Sequence, residues 1–81
     1  MSSISDQLVS IRAMEEFIRR FKELRKERNL TLKQIGDSIN ATESCVSRWE
    51  RGERIPNIVS LKALAIYFGV SSDYLLGIAD D

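Results

Sequence analysis

Residues 31–52 read Thr31-Leu32-Lys33-Gln34-Ile35-Gly36-Asp37-Ser38-Ile39-Asn40-Ala41-Thr42-Glu43-Ser44-Cys45-Val46-Ser47-Arg48-Trp49-Glu50-Arg51-Gly52. Two helices are written into this stretch. Thr31 and Thr42 are both residues that cap helix N-termini, because a side-chain oxygen can accept from a free backbone N–H of the first turn. After Thr31, Leu32, Ile35 and Ile39 recur at helical spacing and are expected to face inward. Gly36 lies beside Ile35, and a glycine inside a helix costs about 1 kcal/mol; we therefore expect another helix to cross closely there. Asn40 stands where a left-handed helix-ending residue is wanted, a role asparagine tolerates. The second helix spans Glu43 to Arg51 and stops at Gly52. Only Asn40 to Thr42 join the two, so they must cross steeply, which makes a helix-turn-helix unit.

The second helix of this unit has two unlike sides. Cys45, Val46 and Trp49 share one side and read as core, whereas Glu43, Ser44, Ser47, Arg48 and Arg51 share the other. The polar side carries donors and acceptors on a rod that fits the major groove of B-DNA, with its N-terminal residues nearest the base edges. Arginine can bond a guanine edge bidentately, and serine is a less selective partner.

Outward from this unit the chain is helical in both directions. From about Asp6 to Arg28 the residues Leu8, Ile11, Met14, Ile18, Phe21 and Leu24 form one apolar stripe, in a single helix or in two with a break near Ala13. Asn29-Leu30 interrupts the charged run before the Thr31 cap. Downstream, Arg54-Ile55-Pro56-Asn57 reads as a turn. A fourth helix near Ile58 to Phe68 turns Ile58, Leu61, Leu64, Ala65 and Phe68 inward and stops at Gly69. Ser71 caps a short fifth helix, Ser72 to Leu76, ended by Gly77. No sustained apolar/polar alternation and no Asn-Gly or Asp-Gly hairpin turn suggests a strand. The fold class expected is all-α: a compact five-helix bundle containing a helix-turn-helix, with an extra N-terminal helical segment. Residues 1–16 are expected to form that extension, residues 17–77 the helix-turn-helix domain, and residues 78–81 a short acidic tail.

Composition narrows the function. Eighty-one residues, 43% hydrophobic and 30% charged, make one small globular domain. Such a domain buries only ~60% of its unfolded surface, so association could supplement its stability. It also leaves no room for a separate effector-sensing domain, so regulation is expected through concentration, dimerisation or a protein regulator. No apolar run reaches the ~20 residues of a membrane span, and Met1-Ser2-Ser3-Ile4 lacks signal-peptide character; a cytoplasmic location is expected. The single Cys45 has no internal disulfide partner. With no histidine and one cysteine, neither a metal site nor histidine-based catalysis is expected. Paired carboxylates, a nucleophile–base pair and a phosphate-binding glycine loop are also missing, so no enzyme and no cofactor is expected. The formal net charge of zero conceals an uneven distribution: residues 17–54 carry ten Lys/Arg against six Asp/Glu, and the two ends carry two against six. A basic middle between acidic flanks suits a polyanionic partner.

Residues 17–77 resemble the Cro/CI phage-repressor family, also called the XRE family. The resemblance lies in Phe21-Lys-Glu-Leu-Arg25-Lys-Glu-Arg-Asn-Leu30-Thr31, Ile35-Gly36, Val46-Ser47-Arg48-Trp49-Glu50-Arg51-Gly52, Pro56-Asn57, Leu64-Ala65, Phe68-Gly69-Val70-Ser71 and Asp73-Tyr74-Leu75-Leu76-Gly77. It implies a five-helix bundle whose third helix enters the major groove of double-stranded DNA. Carried over position by position, it places base reading on Glu43, Ser44, Ser47 and Arg48. Phosphate contacts fall on Thr31, Thr42 and Arg51, to which we add Arg54 as a basic residue of the next loop. It also implies that Arg25 and Glu50 form a charge pair tying the first helix to the recognition helix. Leu32 departs from the family's glutamine, so one usual phosphate contact is expected to be missing; Gly36 replaces alanine and Asn40 replaces glycine. Glu43, an acid facing a polyanion, either supports the positive end of its helix or accepts from cytosine N4.

The expected function is a sequence-specific transcriptional regulator, a repressor binding a two-fold operator as a homodimer. Dimer contacts are expected from Tyr74, Leu75, Ile66 and Tyr67, with a further part for Ile4, Leu8, Ile11 and Met14 of the extension. Two other readings compete: an antitoxin-type autorepressor, and a protein-interaction module that kept the fold without binding DNA.

Overall fold

The computed structural model describes residues 4–80, with side chains described from residue 14 onward. Five α-helices follow one another: α1 (Ile4–Glu27), α2 (Leu32–Ile39), α3 (Glu43–Glu50), α4 (Ile58–Phe68) and α5 (Ser72–Leu76). The N-terminal extension is continuous with the first helix, without a break near Ala13. The stripe positions Ile4, Leu8 and Ile11 lie outside the described side chains.

Local rules set the helix limits. Thr31, Thr42, Asn57 and Ser71 all stand in extended backbone as N-caps, and their side-chain oxygens accept from the N–H groups of Gln34, Cys45, Ser60 and Tyr74. At α2 the cap is reciprocal, because the Thr31 N–H donates to Gln34 Oε1 at 2.8 Å. The connection between α2 and α3 turns on Asn40, whose φ of 62° and ψ of 44° are left-handed.

The core gathers one face from each helix: Phe17, Phe21 and Leu24; Ile35; Val46 and Trp49; Leu64, Ala65 and Phe68; and Leu75. Phe21 meets Phe68 edge-on, with ring centroids 5.9 Å apart, a favoured aromatic geometry. Trp49 is buried and so faces away from the polar side of α3, which holds that side outward.

Four expectations need correction. Phe17 is core and Ile18 only half-buried, so the inward stripe of α1 runs Phe17-Phe21-Leu24. Ile58 is 82% exposed: it begins α4 one turn before Leu61, beyond the edge of the packed face. The neighbour that demands glycine at position 36 is no crossing helix. A Cβ there would stand 2.6 Å from the carbonyl oxygen of Ala41, so the turn itself folds back onto α2. Leu75 is fully buried within this chain and is core, not a dimer contact.

Candidate nucleic-acid interface

The exposed side of α3 begins at its cap. Glu43 and Ser44 occupy the first turn and are exposed, Ser47 is half-buried one turn later, and Arg48 is exposed beside it. Behind them Val46, Trp49 and Glu50 are buried. Neither Arg48 nor Arg54 forms an ion pair or a side-chain hydrogen bond among the described residues. Five guanidinium N–H donors on each are therefore free for an outside acceptor.

Thr31 and Thr42 are exposed at the starts of α2 and α3. Each hydroxyl oxygen already accepts from a backbone N–H at 3.0 Å. That leaves its own O–H to donate, the direction a phosphate oxygen requires. Leu32 is half-buried against the core and offers nothing polar. Arg51 differs from Arg48 and Arg54: its Nε donates to the Ser47 carbonyl at 3.4 Å, and Glu53 Oε2 lies 2.8 Å from the same nitrogen in an ion pair.

Two further arginines face inward. Arg25 reaches from α1 to α3, donating through Nη2 to Glu50 Oε1 at 2.6 Å, and its Nη1 donates to the Leu30 carbonyl at 3.3 Å. The side chains are 23% and 10% exposed, so the pair is largely withdrawn from water. It ties the start of the helix-turn-helix unit to the end of α3.

Arg20, which sequence reasoning missed, is buried between α1 and the end of the chain. Its Nη1 donates to the carbonyls of Tyr74 at 2.7 Å and Ala79 at 2.6 Å. The guanidinium lies 4.3 Å from the centre of the Tyr74 ring. Its Nε also pairs with Glu16 Oε2 at 3.4 Å and its Nη2 lies 3.8 Å from Asp80 Oδ1, but the two carbonyls more than fifty residues away carry no sequence signature. On the same helix Glu16 is held below the ordinary carboxylate range, chiefly by a hydrogen bond from Arg19.

The dimer candidates divide. Ile66 is 71% exposed, whereas Tyr67 and Tyr74 are half-buried, the first against Phe68 and the second under Arg20. Among the described residues no group of acidic or thiol side chains is placed to hold a metal ion, and no helix is long and apolar enough to cross a membrane.

A family model described as helix-turn-helix matches residues 21–75, from the last third of α1 through α2, α3 and α4 and into α5. The chain belongs to the Cro/CI-type (XRE) helix-turn-helix family. Among curated relatives, the HTH-type transcriptional activator BcrR of Enterococcus faecalis is 36% identical over 61 residues, 75% of this chain and 30% of that protein. The uncharacterised HTH-type transcriptional regulator YobD of Bacillus subtilis (strain 168) is 34% identical over 65 residues, 80% of this chain and 58% of its own length. The HTH-type transcriptional regulator ImmR of the same strain is 36% identical over 59 residues, 73% of this chain and 46% of the relative. This XRE-type chain thus spans between about a third and somewhat over half of the relatives it matches. No solved structure matches it.

Proposed function

We propose that the chain is a sequence-specific DNA-binding transcription regulator that places α3 in the major groove and binds a two-fold operator as a homodimer. The observation that carries this reading is the unpartnered polar side of α3, with Glu43, Ser44 and Arg48 exposed over a buried Val46–Trp49 face. Base edges would be read by Glu43, Ser44, Ser47 and Arg48. Phosphates would be held by the O–H groups of Thr31 and Thr42 and by Arg51 and Arg54. Unpartnered Arg48 and Arg54 favour a polyanion over a protein partner. The dimer would use exposed Ile66 with the outer edges of Tyr67 and Tyr74.

Repression is the simplest outcome for such a dimer, since an occupied operator overlapping a promoter excludes polymerase. Activation is a second reading, favoured by the similarity to a relative named as an activator. One small domain can serve either outcome, because the sign depends on where the operator lies.

Selection of binding sites from random duplexes tests the proposal. We expect enriched two-fold sites with half-sites about 10 bp apart, the spacing that brings two recognition helices into successive major grooves on one side of the duplex. Enrichment of single, unrepeated half-sites would count against the dimer, and no enrichment would count against sequence reading.

A further inference from the structure

The turn that ends α3 sets two opposite charges side by side at the edge of the interface, and only one of them suits DNA. Gly52, at φ +76°, reverses the chain immediately after Arg51. The Gly52 N–H then donates to the Trp49 carbonyl at 3.2 Å, and the N–H groups of Glu53 and Arg54 to the Arg48 carbonyl at 2.9 and 3.3 Å. The backbone beneath Arg51, Glu53 and Arg54 is thereby fastened to the end of the recognition helix. A Cβ at position 52 would lie 2.8 Å from Ile18 Cδ1, so α1 closes the turn from behind. The geometry points Arg51 at Glu53, 2.8 Å apart with both side chains more than half exposed, and leaves neighbouring Arg54 unpaired.

We propose that Glu53 is an intramolecular competitor of the DNA backbone. It occupies Arg51 in the free protein and yields it to a phosphate on binding. Glu53 thus sets the strength and salt dependence of backbone contact without touching the base-reading residues. This rests on the reading of α3 as the DNA-reading helix. Glu53 meets Arg51 at Nε alone, and a phosphate can take that place while also reaching the Nη donors, so nothing is lost in the exchange at Arg51. It is unfavourable at Glu53, whose released carboxylate faces a polyanion. Because both side chains are solvated, the pair contributes little to folding.

The test titrates the full chain against a fluorescent random-sequence 20-bp duplex across a salt series, for wild type, Glu53→Gln, Arg51→Ala and the double variant. Glu53→Gln should bind about two- to five-fold more tightly at low salt, the range of an exposed ion pair. Its salt slope should steepen by up to about 0.9, the value for one phosphate, with the melting temperature unchanged. In the Arg51→Ala background the same substitution should keep only a small part of either change, the part due to removing one acid from the edge of the interface. Unchanged or weaker binding by Glu53→Gln overturns the proposal. So does an equal gain in the Arg51→Ala background, which would mean that Glu53 repels phosphate directly. If the wild type binds no duplex at any salt, the DNA reading itself fails and takes the proposal with it.

Discussion

Arg20 and Arg48 belong to the same small bundle and are used in opposite ways. Arg20 is buried, donates to two backbone carbonyls and lies over the Tyr74 ring. Arg48 is exposed and meets no acceptor among the described residues. Arg25 sides with Arg20, through Glu50 and the Leu30 carbonyl; Arg54 sides with Arg48. A buried guanidinium must have its charge paired, since an unpaired charge in a low-dielectric interior is costly. Arg25 meets that demand through one contact with Glu50, although its Nε and Glu50 Oε2 stay buried without a hydrogen-bond partner. An exposed guanidinium loses little by waiting. The chain therefore separates its arginines into a set that the fold consumes and a set that the fold presents. Residue type is the same in both; what differs is which acceptors the fold brings within reach.

Breaking the consumed set should give the largest effects. Removing one partner of the Arg25–Glu50 pair strands the other in a largely buried site, a loss of roughly 3–5 kcal/mol for a fully buried pair. The 23% exposure of Arg25 places the expected loss at the low end of that range. Denaturant unfolding of Glu50→Gln, Arg25→Met and the double variant checks this, and the double should lose much less than the sum of the singles. Strict additivity would mean that the two side chains do not interact energetically.

Arg20→Met comes next. The apolar stem remains, but the carbonyls of Tyr74 and Ala79 are deprived of a charged donor, and each such hydrogen bond contributes about 1.5–3 kcal/mol. Ala79 is half-buried and within reach of water, so we expect a destabilisation of about 2 kcal/mol, within that range and concentrated in α5 and residues 78–80. Hydrogen exchange should show faster opening at Leu75 to Ala79 than at Ile35 or Val46. Uniform loosening across the bundle would show that Arg20 supports the whole core instead.

The contrast also explains what the sequence can and cannot disclose. Helix limits are legible because caps are local: Thr31, Thr42 and Ser71 each bond within three residues of themselves, as does Asn57, which the sequence alone places only in a turn. The buried side of α3 is legible because Val46 and Trp49 share one helical face. The inward stripe of α1 is ambiguous because Met14-Ile18 and Phe17-Phe21 both satisfy helical spacing, and only the position of the other helices selects between them. Ile58 obeys the period of α4 but lies past the last packed turn. Gly36 does mark a close approach, yet the approaching atom belongs to the turn five residues on. Arg25 and Glu50 are reached through family resemblance, not through spacing. Arg20 is masked by its i, i+4 spacing from Glu16, which reads as a surface pair, while the two carbonyls that hold it inward are backbone atoms that any residue possesses.

Breaking the presented set should leave the fold almost intact. Arg48→Ala is expected to change stability by less than ~0.5 kcal/mol, yet to weaken specific DNA binding by about 1–3 kcal/mol and relax preference at one base pair per half-site. Arg54→Ala should weaken all sequences alike and make the salt dependence shallower by about 0.9 for each phosphate it no longer neutralises. Binding measured on a selected site and on a scrambled duplex separates the two. Equal weakening on both duplexes for Arg48→Ala would reassign it to the phosphate backbone.

Glu43 should have the smallest effect on the fold and gives the finest test of the contrast, because it is an acid in the presented set. It occupies the first position of α3, beside the Thr42 cap, exposed and without a side-chain partner among the described residues. Its only service to the fold is to the positive end of the helix, so Glu43→Gln should cost about a few tenths of a kcal/mol. The two candidate roles then separate in DNA binding. A residue that merely supports its helix keeps a repulsive charge at the interface, and neutralising it should raise affinity for every sequence. A residue that accepts from cytosine N4 should, as glutamine, lose ~1–3 kcal/mol of discrimination at one position, with adenine gaining through its N6 and N7 edge. We expect the second outcome. Thr42 already caps α3 through its hydroxyl, so the helix start is served without an acid, while the standing repulsion from phosphates demands a compensating contact. A uniform rise in affinity with unchanged base preference would place Glu43 with the residues that serve the fold alone.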